Sequence, residues 1–328
     1  MVFDLNSFFV NSDGQLVARS KQFAQDLTLV DIESKSSSVS NIDASVDGDE
    51  VEDVWNALVL GLRDYVHKNG FKSVVLGVSG GIDSAVCASI AADALGADRV
   101  FGVSMPSKFS SEHSKGDAED LAERIGCHYR TEAIGDLVDA FEGQLNLEGL
   151  ASENLQARMR GVILMALSNA EGHLTLTTGN KTELAVGYST IYGDSVGGFA
   201  PIKDVEKTLV WELAKWRNEH AVANGQTPPI PENSITKPPS AELRPDQTDQ
   251  DSLPEYELLD ELLDNYVEKR LGRDQIIGLG FDAAVVDRII GLVDRAEWKR
   301  RQGAIGPKIT GMAFGRDRRL PITNRSHK

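Results

Sequence analysis

Ser79-Gly80-Gly81-Ile82-Asp83-Ser84 follows the apolar run Val74, Val75, Leu76 and Val78, and leads into a small-residue helix expected from Ser84 through Ala94. Strand, glycine loop and helix in that order make a phosphate cradle. Adjacent glycines let backbone amides approach an anion with no Cβ in the way. Ser79 and Ser84 add hydroxyls, and the helix N-terminus adds unpaired N–H groups and its positive dipole end. Asp83 stands where a P-loop has lysine and a dinucleotide fold has glycine. An acid beside phosphates repels them unless a divalent cation lies between, so Asp83 argues for Mg²⁺ bridging two phosphates. Two further acids, Glu183 and Asp194, lie in the run LTTGNKTELAVGYSTIYGDSVGGFAPIKDVEKTLVW from Leu176, and Lys203 and Lys207 follow them. In this reading Glu183 completes the Mg²⁺ site with Asp83 while a lysine binds phosphate oxygens directly. A glutamate at a helix start is also an ordinary cap.

The elements that must position these residues follow from periodicity. Val54, Leu58, Leu62 and Val66 step by four, which gives an amphipathic helix over Val51 to Asn69 leading into the central strand. Arg99 to Met105 is a second strand, ending in Ser104-Met105-Pro106 where a neighbouring strand would contribute an adenine or ribose contact. Ser114 to Ile125 is a helix and His128 to Ala133 a third strand. Glu153 to Ala170 is a long helix bearing Asn154, Arg158 and Arg160, and Leu174 to Thr178 a fourth strand. This alternation gives an α/β fold, a doubly wound parallel sheet with helices on both faces and ligands beyond the carboxyl ends of the strands. The Pro-rich segment Thr227 to Pro254 is expected to be a lid, and Glu255 to Leu271 an amphipathic helix at the core or a dimer seam.

Ahead of this lies a different pattern. Ser7 to Val10 and Gln15 to Ala18 make a hairpin around Asp13-Gly14, and Asp26 to Ile32 alternates as a third strand. Glu33 to Asp49 is Ser- and Asp-rich and reads as a linker. A formal charge of −16 over 328 residues argues against a nucleic-acid partner or an anionic membrane surface. An anionic substrate then needs local basic clusters, for which Lys299-Arg300-Arg301 and Arg316-Asp317-Arg318-Arg319 are candidates. Cys87 and Cys127 are the only cysteines, without metal-ligand spacing, and point to a reducing cytoplasm with neither residue a nucleophile. No apolar run approaches the roughly 18–20 residues of a membrane helix.

The SGGIDS loop resembles the SGGxDS signature of the N-type ATP pyrophosphatases, which adenylate a substrate and hold the leaving pyrophosphate at that loop. Three more segments, ENLQARMRG at Glu153–Gly161, ITKPPSAELRPDQ at Ile235–Gln247 and WKRRQGAIGPKITGMAFGRDRRLPITNR near the end, together with the Leu176 run, resemble NAD synthetase. The likeness is to the synthetase domain of the glutamine-dependent type. It implies an adenine nucleotide alpha hydrolase-like fold and the Mg²⁺-dependent conversion of deamido-NAD, ATP and ammonia into NAD, AMP and pyrophosphate. By position it implies that Ser79, Gly80, Gly81, Asp83, Ser84, Thr178, Lys207 and Ser240 bind ATP, with Asp83 and Glu183 on the metal. Asn154, Arg158, Glu183, Tyr188, Asp194 and Lys308 would face deamido-NAD, with Asp194 and Lys207 catalytic and Lys308 reaching across a homodimer.

Residues 1–35 resemble the last strands of a nitrilase-like glutaminase domain without its Cys, 36–50 form the linker and 51–328 the synthetase domain. The expectation is therefore an ammonia-using enzyme behind a glutaminase remnant, served by a separate glutaminase if by any. Two alternatives stay open. One is another ATP pyrophosphatase such as GMP synthetase or a tRNA-thiolating enzyme; the other is a nonenzymatic nucleotide-binding module.

Overall fold

The computed structural model describes residue 2 and residues 6–30, 50–245 and 247–323. Its centre is a four-stranded, all-parallel sheet built from β3 (Val74–Gly77), β4 (Val100–Ser104), β5 (His128–Thr131) and β6 (Leu174–Thr175), in the order β5-β4-β3-β6. Ahead of it, β1 (Phe8–Val10) and β2 (Leu16–Arg19) form the expected antiparallel hairpin, with Gly14 at φ 78° in the turn.

Alternation along the central strands sends side chains to two packed faces. Val74, Leu76 and Val78 enter one apolar cluster with α1 (Glu50–Lys68), α2 (Ile82–Leu95) and Val210 and Leu213 of a later helix. Val75 and Val103 enter another, on the opposite face, with residues of the helices that follow β5. α1 forms because its apolar residues step along one stripe, burying Leu58, Leu62 and Val66, while Glu50, Glu52 and Asp53 sit at its positive end and Lys68 at its negative end. α3 (Glu112–Ile125) starts at Ser111, whose hydroxyl accepts from Ser114 N–H at 3.1 Å. α4 (Gly135–Leu145) and α5 (Leu150–Glu171) cover the second face.

The chain runs from β3 outward through β4 and β5, then returns to the other side of β3 as β6. That reversal is a topological switch point, and the crevice it opens lies between the carboxyl ends of β3 and β6. β3 leads into the glycine loop there, and β6 into Thr177–Asn180 and then α6 (Lys181–Val186). After α6 come α7 (Lys207–Ala223), α8 (Glu232–Thr236), α9 (Tyr256–Leu263), α10 (Arg273–Gly278), α11 (Ala283–Arg295) and α12 (Glu297–Arg300). α9 and α11 build a third apolar cluster around Tyr256, Leu259 and Ile289.

Two expectations change. Residues 26–30 form no strand: Leu27 and Leu29 are 83% and 88% exposed, because no neighbouring backbone pairs with them, and Asp31 and Ile32 lie outside the described residues. The linker at 33–49 also lies outside them. The fourth strand stops at Thr175; beyond it Leu176 bridges Phe199, and Thr177 N–H donates to Phe199 O at 3.0 Å, so an irregular segment edges the sheet. The Pro-rich segment is more than a loop. It carries α8 and a 3-10 turn at Asp249–Asp251, and it buries Ile230, Ser234 and Ile235.

Candidate active site

A cavity of about 310 Å³ fills the crevice at the switch point. That is the lower end of the range for small-molecule sites. From the glycine loop Ser79, Gly81, Asp83 and Ser84 line it; from the turn after β6 come Thr178 and Gly179, then Glu183 and Tyr188. Asp194, Lys207 and Ser240 complete the sequence-derived set on its walls. Gly80 does not line it. Gly80 turns at φ 74°, and a Cβ there would lie 2.4 Å from Ser114 O, so this glycine lets the loop pass against α3.

Asp83 is the hub. Its Oδ1 accepts from Asn180 Nδ2 at 2.8 Å, and its Oδ2 pairs with Lys207 Nζ. Lys207 is fully buried, its ammonium 5.3 Å from the Tyr256 ring centre and 5.5 Å from that of Trp211. Burial alone would push its pKa down; the charges of Asp83 and Glu183 outweigh that and raise it, so the ammonium stays protonated.

Glu183 serves two purposes. Asn180 Oδ1 accepts from Glu183 N–H at 2.9 Å, and Glu183 Oε2 accepts from Asn180 N–H at 3.2 Å, a complete capping box for α6. The same carboxylate lines the cavity. Burial, then the charge of Asp83, hold its pKa well above the usual range. Two oxygen-donor acids facing one cavity and repelling each other are a fitting pair for a divalent cation that keeps waters and phosphates as its other ligands. Among the described residues no third His, Cys, Asp or Glu joins them in a metal-binding group.

Asp194 is accessible from the cavity it lines; desolvation by the surrounding protein raises its pKa, and its Oδ1 accepts from Thr190 N–H at 2.7 Å. Asn154 and Arg158 reach this loop rather than the cavity: Thr190 Oγ1 donates to Asn154 Oδ1 at 2.7 Å and Arg158 Nε donates to Ile191 O at 3.3 Å. Gly161 permits the close packing, since a Cβ there would lie 2.7 Å from Tyr192 O. Behind Thr177, Gly179, Glu183 and Asp194 lies a second cavity of about 20 Å³, walled by Ser195, Lys203 and Ala304. Lys308 lines neither cavity; it pairs with Asp317 at 2.7 Å.

The two basic clusters do not line the cavities either. Lys299 donates to Gly187 O and Ser189 O at 2.8 Å, and Arg300 is buried against Glu297 and the Ala185 carbonyl, so these cations brace the segment before Asp194. The cations that do line the large cavity with Lys207 are Lys115, Arg160 and Lys237. Arg160 is held at about 10 by burial and donates to Met105 O at 3.0 Å.

Sequence reasoning missed how the Pro-rich segment attaches. Glu242 Oε1 accepts from Ser111 Oγ at 3.0 Å and Ser114 Oγ at 2.7 Å, and Gln156 Nε2 donates to Leu243 O at 3.0 Å. Lys237, Pro238, Pro239 and Ser240 are thereby laid along the cavity wall. The Pro-rich composition signalled a covering segment but not its anchors.

Glu206, next to Lys207, has its pKa pushed up to about 7 by burial first and then by Asp260, with Lys181 opposing and Asp264 and Glu268 adding to the rise. Between the ordinary value of 4.5 and 7 the folded chain therefore holds a proton that the unfolded chain has lost. That contribution to stability is complete below about 4.5 and vanishes as pH rises through 7. Thermal unfolding of Glu206→Gln against the parent is expected to coincide near pH 5 and to favour the variant by on the order of a few degrees at pH 8. A constant difference across that range would contradict this assignment.

The NAD synthase family profile matches residues 54–303. A glutamine-dependent NAD(+) synthetase of Acinetobacter baylyi is 49% identical over 99% of this chain and 60% of its own length. The chain thus spans about 60% of the length of such curated relatives. The solved glutamine-dependent NAD+ synthetase of Acinetobacter baumannii, in complex with ADP, superposes with a TM-score of 0.66 at 45% identity, over 97% of this chain and 58% of that one. NMN synthetase from Francisella tularensis superposes with a TM-score of 0.65 at 28% identity, over 77% of this chain and 97% of that one.

Proposed function

Because the chain belongs to the NAD synthase family, we propose that its large cavity adenylates the nicotinate carboxylate of deamido-NAD with ATP, and that ammonia then displaces AMP to give NAD. The observation that carries this reading is the convergence of the Ser79–Ser84 loop with Asp83, Glu183 and Lys207 on one cavity at the switch point.

The loop amides, with the Ser79 and Ser84 hydroxyls, hold the phosphates, and Thr178 and Ser240 contact ATP from the facing walls. Asp83 and Glu183 would hold Mg²⁺, which when bound neutralises charge on the phosphates. Lys207 adds a fixed positive charge where the leaving pyrophosphate develops negative charge, inside a water-poor site where such a charge acts strongly. The Pro-rich segment excludes water that would hydrolyse the acyl-adenylate. Asp194 accepts a proton from, or orients, the incoming ammonia; its raised pKa suits that task, and the small cavity beside it is of a size for one ammonia or water. Tyr188 and Asp194 face the dinucleotide, Asn154 and Arg158 support it through the loop they brace, and Lys308 acts from a partner subunit.

The dimer this implies has a candidate face. Leu137, Phe141 and Leu145 step by four along α4 and stay 43–55% exposed, with Val162 and Met165 of α5 also exposed. Within the 328 residues no cysteine precedes Cys87, so residues 1–35 supply no nitrilase-type nucleophile. Among the described residues no helix is long and apolar enough to cross a membrane. A cytoplasmic location is part of the proposal.

Purified chain incubated with deamido-NAD, ATP and Mg²⁺ is expected to yield NAD, AMP and pyrophosphate in equal amounts with ammonium, and no NAD with glutamine alone. The corresponding mononucleotide acid belongs in the same assay, given the likeness to an NMN synthetase. Binding of ATP without AMP release under any of these conditions would favour the nonenzymatic module instead.

A further inference from the structure

Asp249 lines the large cavity together with Asp83, Glu183, Asp194 and Glu242, and is brought there by the 3-10 turn of the Pro-rich segment. It is 4% exposed. Its Oδ2 accepts from Tyr256 Oη at 2.7 Å, and its backbone N–H donates to Pro239 O at 3.1 Å, tying it to the stretch that carries Ser240. Its Oδ1 is buried without a hydrogen bond of good geometry among the described residues, although the Tyr188 hydroxyl stands near enough to act on the carboxylate. Burying a carboxylate oxygen unpaired is unfavourable, so an orphan at a cavity wall calls for a partner that arrives.

Phosphate oxygens cannot be that partner, since like charges repel. Lys207 can. Its ammonium lies over the ring of the same Tyr256 whose hydroxyl holds Asp249, and the charge of Asp249 already acts on it. At present Lys207 is committed to Asp83. Asp83 cannot serve a divalent cation and keep that ammonium at full strength, because both draw on the same oxygens and repel each other.

We propose that Asp249 is a positioning residue that takes over Lys207 when a divalent cation claims Asp83, holding the ammonium between the Asp249 Oδ1 and the nucleotide phosphates. This rests on the reading of Asp83 as part of a cation and ATP site. It explains why the orphaned oxygen is on the covering segment. With that segment already seated on the cavity wall, the acceptor is in place when a cation draws Lys207 off Asp83.

The test is calorimetric binding of α,β-methylene-ATP, which no adenylation can cleave, to the parent chain and to Asp249→Asn, each with Mg²⁺ and with EDTA. With Mg²⁺ the variant is expected to bind about tenfold more weakly, the scale of a lost charge-assisted hydrogen bond. With EDTA it should match the parent within about twofold, because Lys207 then stays on Asp83. Asp249→Glu should restore part of the Mg²⁺-dependent binding. Equal weakening in both conditions would mean a structural role, and tighter binding in both a simple repulsion; either overturns the proposal, as does no change. If Asp249→Asn does not fold, Tyr256→Phe carries the same comparison, with Mg²⁺-specific weakening expected and any other pattern contradicting. A parent chain that binds the analogue no better with Mg²⁺ than without would remove the cation and ATP reading itself, and the proposal with it.

Discussion

Asp83→Asn is expected to lower the proposed NAD formation by about three orders of magnitude or more, with no recovery in excess Mg²⁺. The amide keeps the shape of the carboxylate, so the contact with Asn180 at 2.8 Å has an isosteric substitute. What disappears is the charge that pairs with Lys207 and would share the cation with Glu183. Removing one partner of a buried pair typically costs about 3–5 kcal/mol. The loss here should fall below that range, because Glu183 and Asp249 still surround the ammonium. Steady-state NAD formation beside a thermal unfolding curve separates the two effects. A folded variant within tenfold of the parent rate would contradict the role given to Asp83.

Lys207→Met should be comparably damaging, about a thousandfold, by a different route. Methionine fills the same channel over Tyr256 and Trp211 without the charge. The adenylation step loses its fixed positive charge, so no burst of pyrophosphate precedes steady turnover. Nucleotide binding with Mg²⁺ should weaken as well, by at least the roughly tenfold expected of Asp249→Asn, because no ammonium then reaches the phosphates. Rapid-quench measurement of pyrophosphate with the same calorimetric titration gives both readouts. A preserved burst would contradict the assignment of Lys207 to the chemical step.

The parts of this arrangement visible in the sequence are those fixed by local chemistry. The glycine loop between β3 and α2 announced itself through strand, Gly-Gly and helix, and α1 through its four-residue step. Glu183 was legible both as a cap and as a cavity acid, and it is both. The parts that were not visible depend on which distant segments meet. Glu242 and Ser114 lie 128 positions apart, and nothing in either neighbourhood predicts their contact. Nothing in the sequence singles out Asp249, because its burial and the surroundings of its Oδ1 are properties of the folded cavity wall. The basic clusters misled for the same reason. Charge density along the chain suggested a substrate surface, yet Lys299 and Arg300 point inward to carbonyls and Glu297. The strand expected over Asp26 to Ile32 had the alternation but no partner edge over its described part, and alternation alone does not form a ladder.

The central claim is that the cavity activates a carboxylate by joining it to AMP, and isotope transfer tests it most directly. Deamido-NAD labelled with ¹⁸O in its nicotinate carboxylate is incubated with the chain, ATP, Mg²⁺ and ammonium, and the products are weighed by mass spectrometry. The account predicts one ¹⁸O in the phosphate of AMP for each NAD formed, because the carboxylate oxygen bonded to the α-phosphorus leaves with AMP. Label in inorganic phosphate together with ADP would contradict it, since that would mean attack on the terminal phosphate and a different use of the same loop.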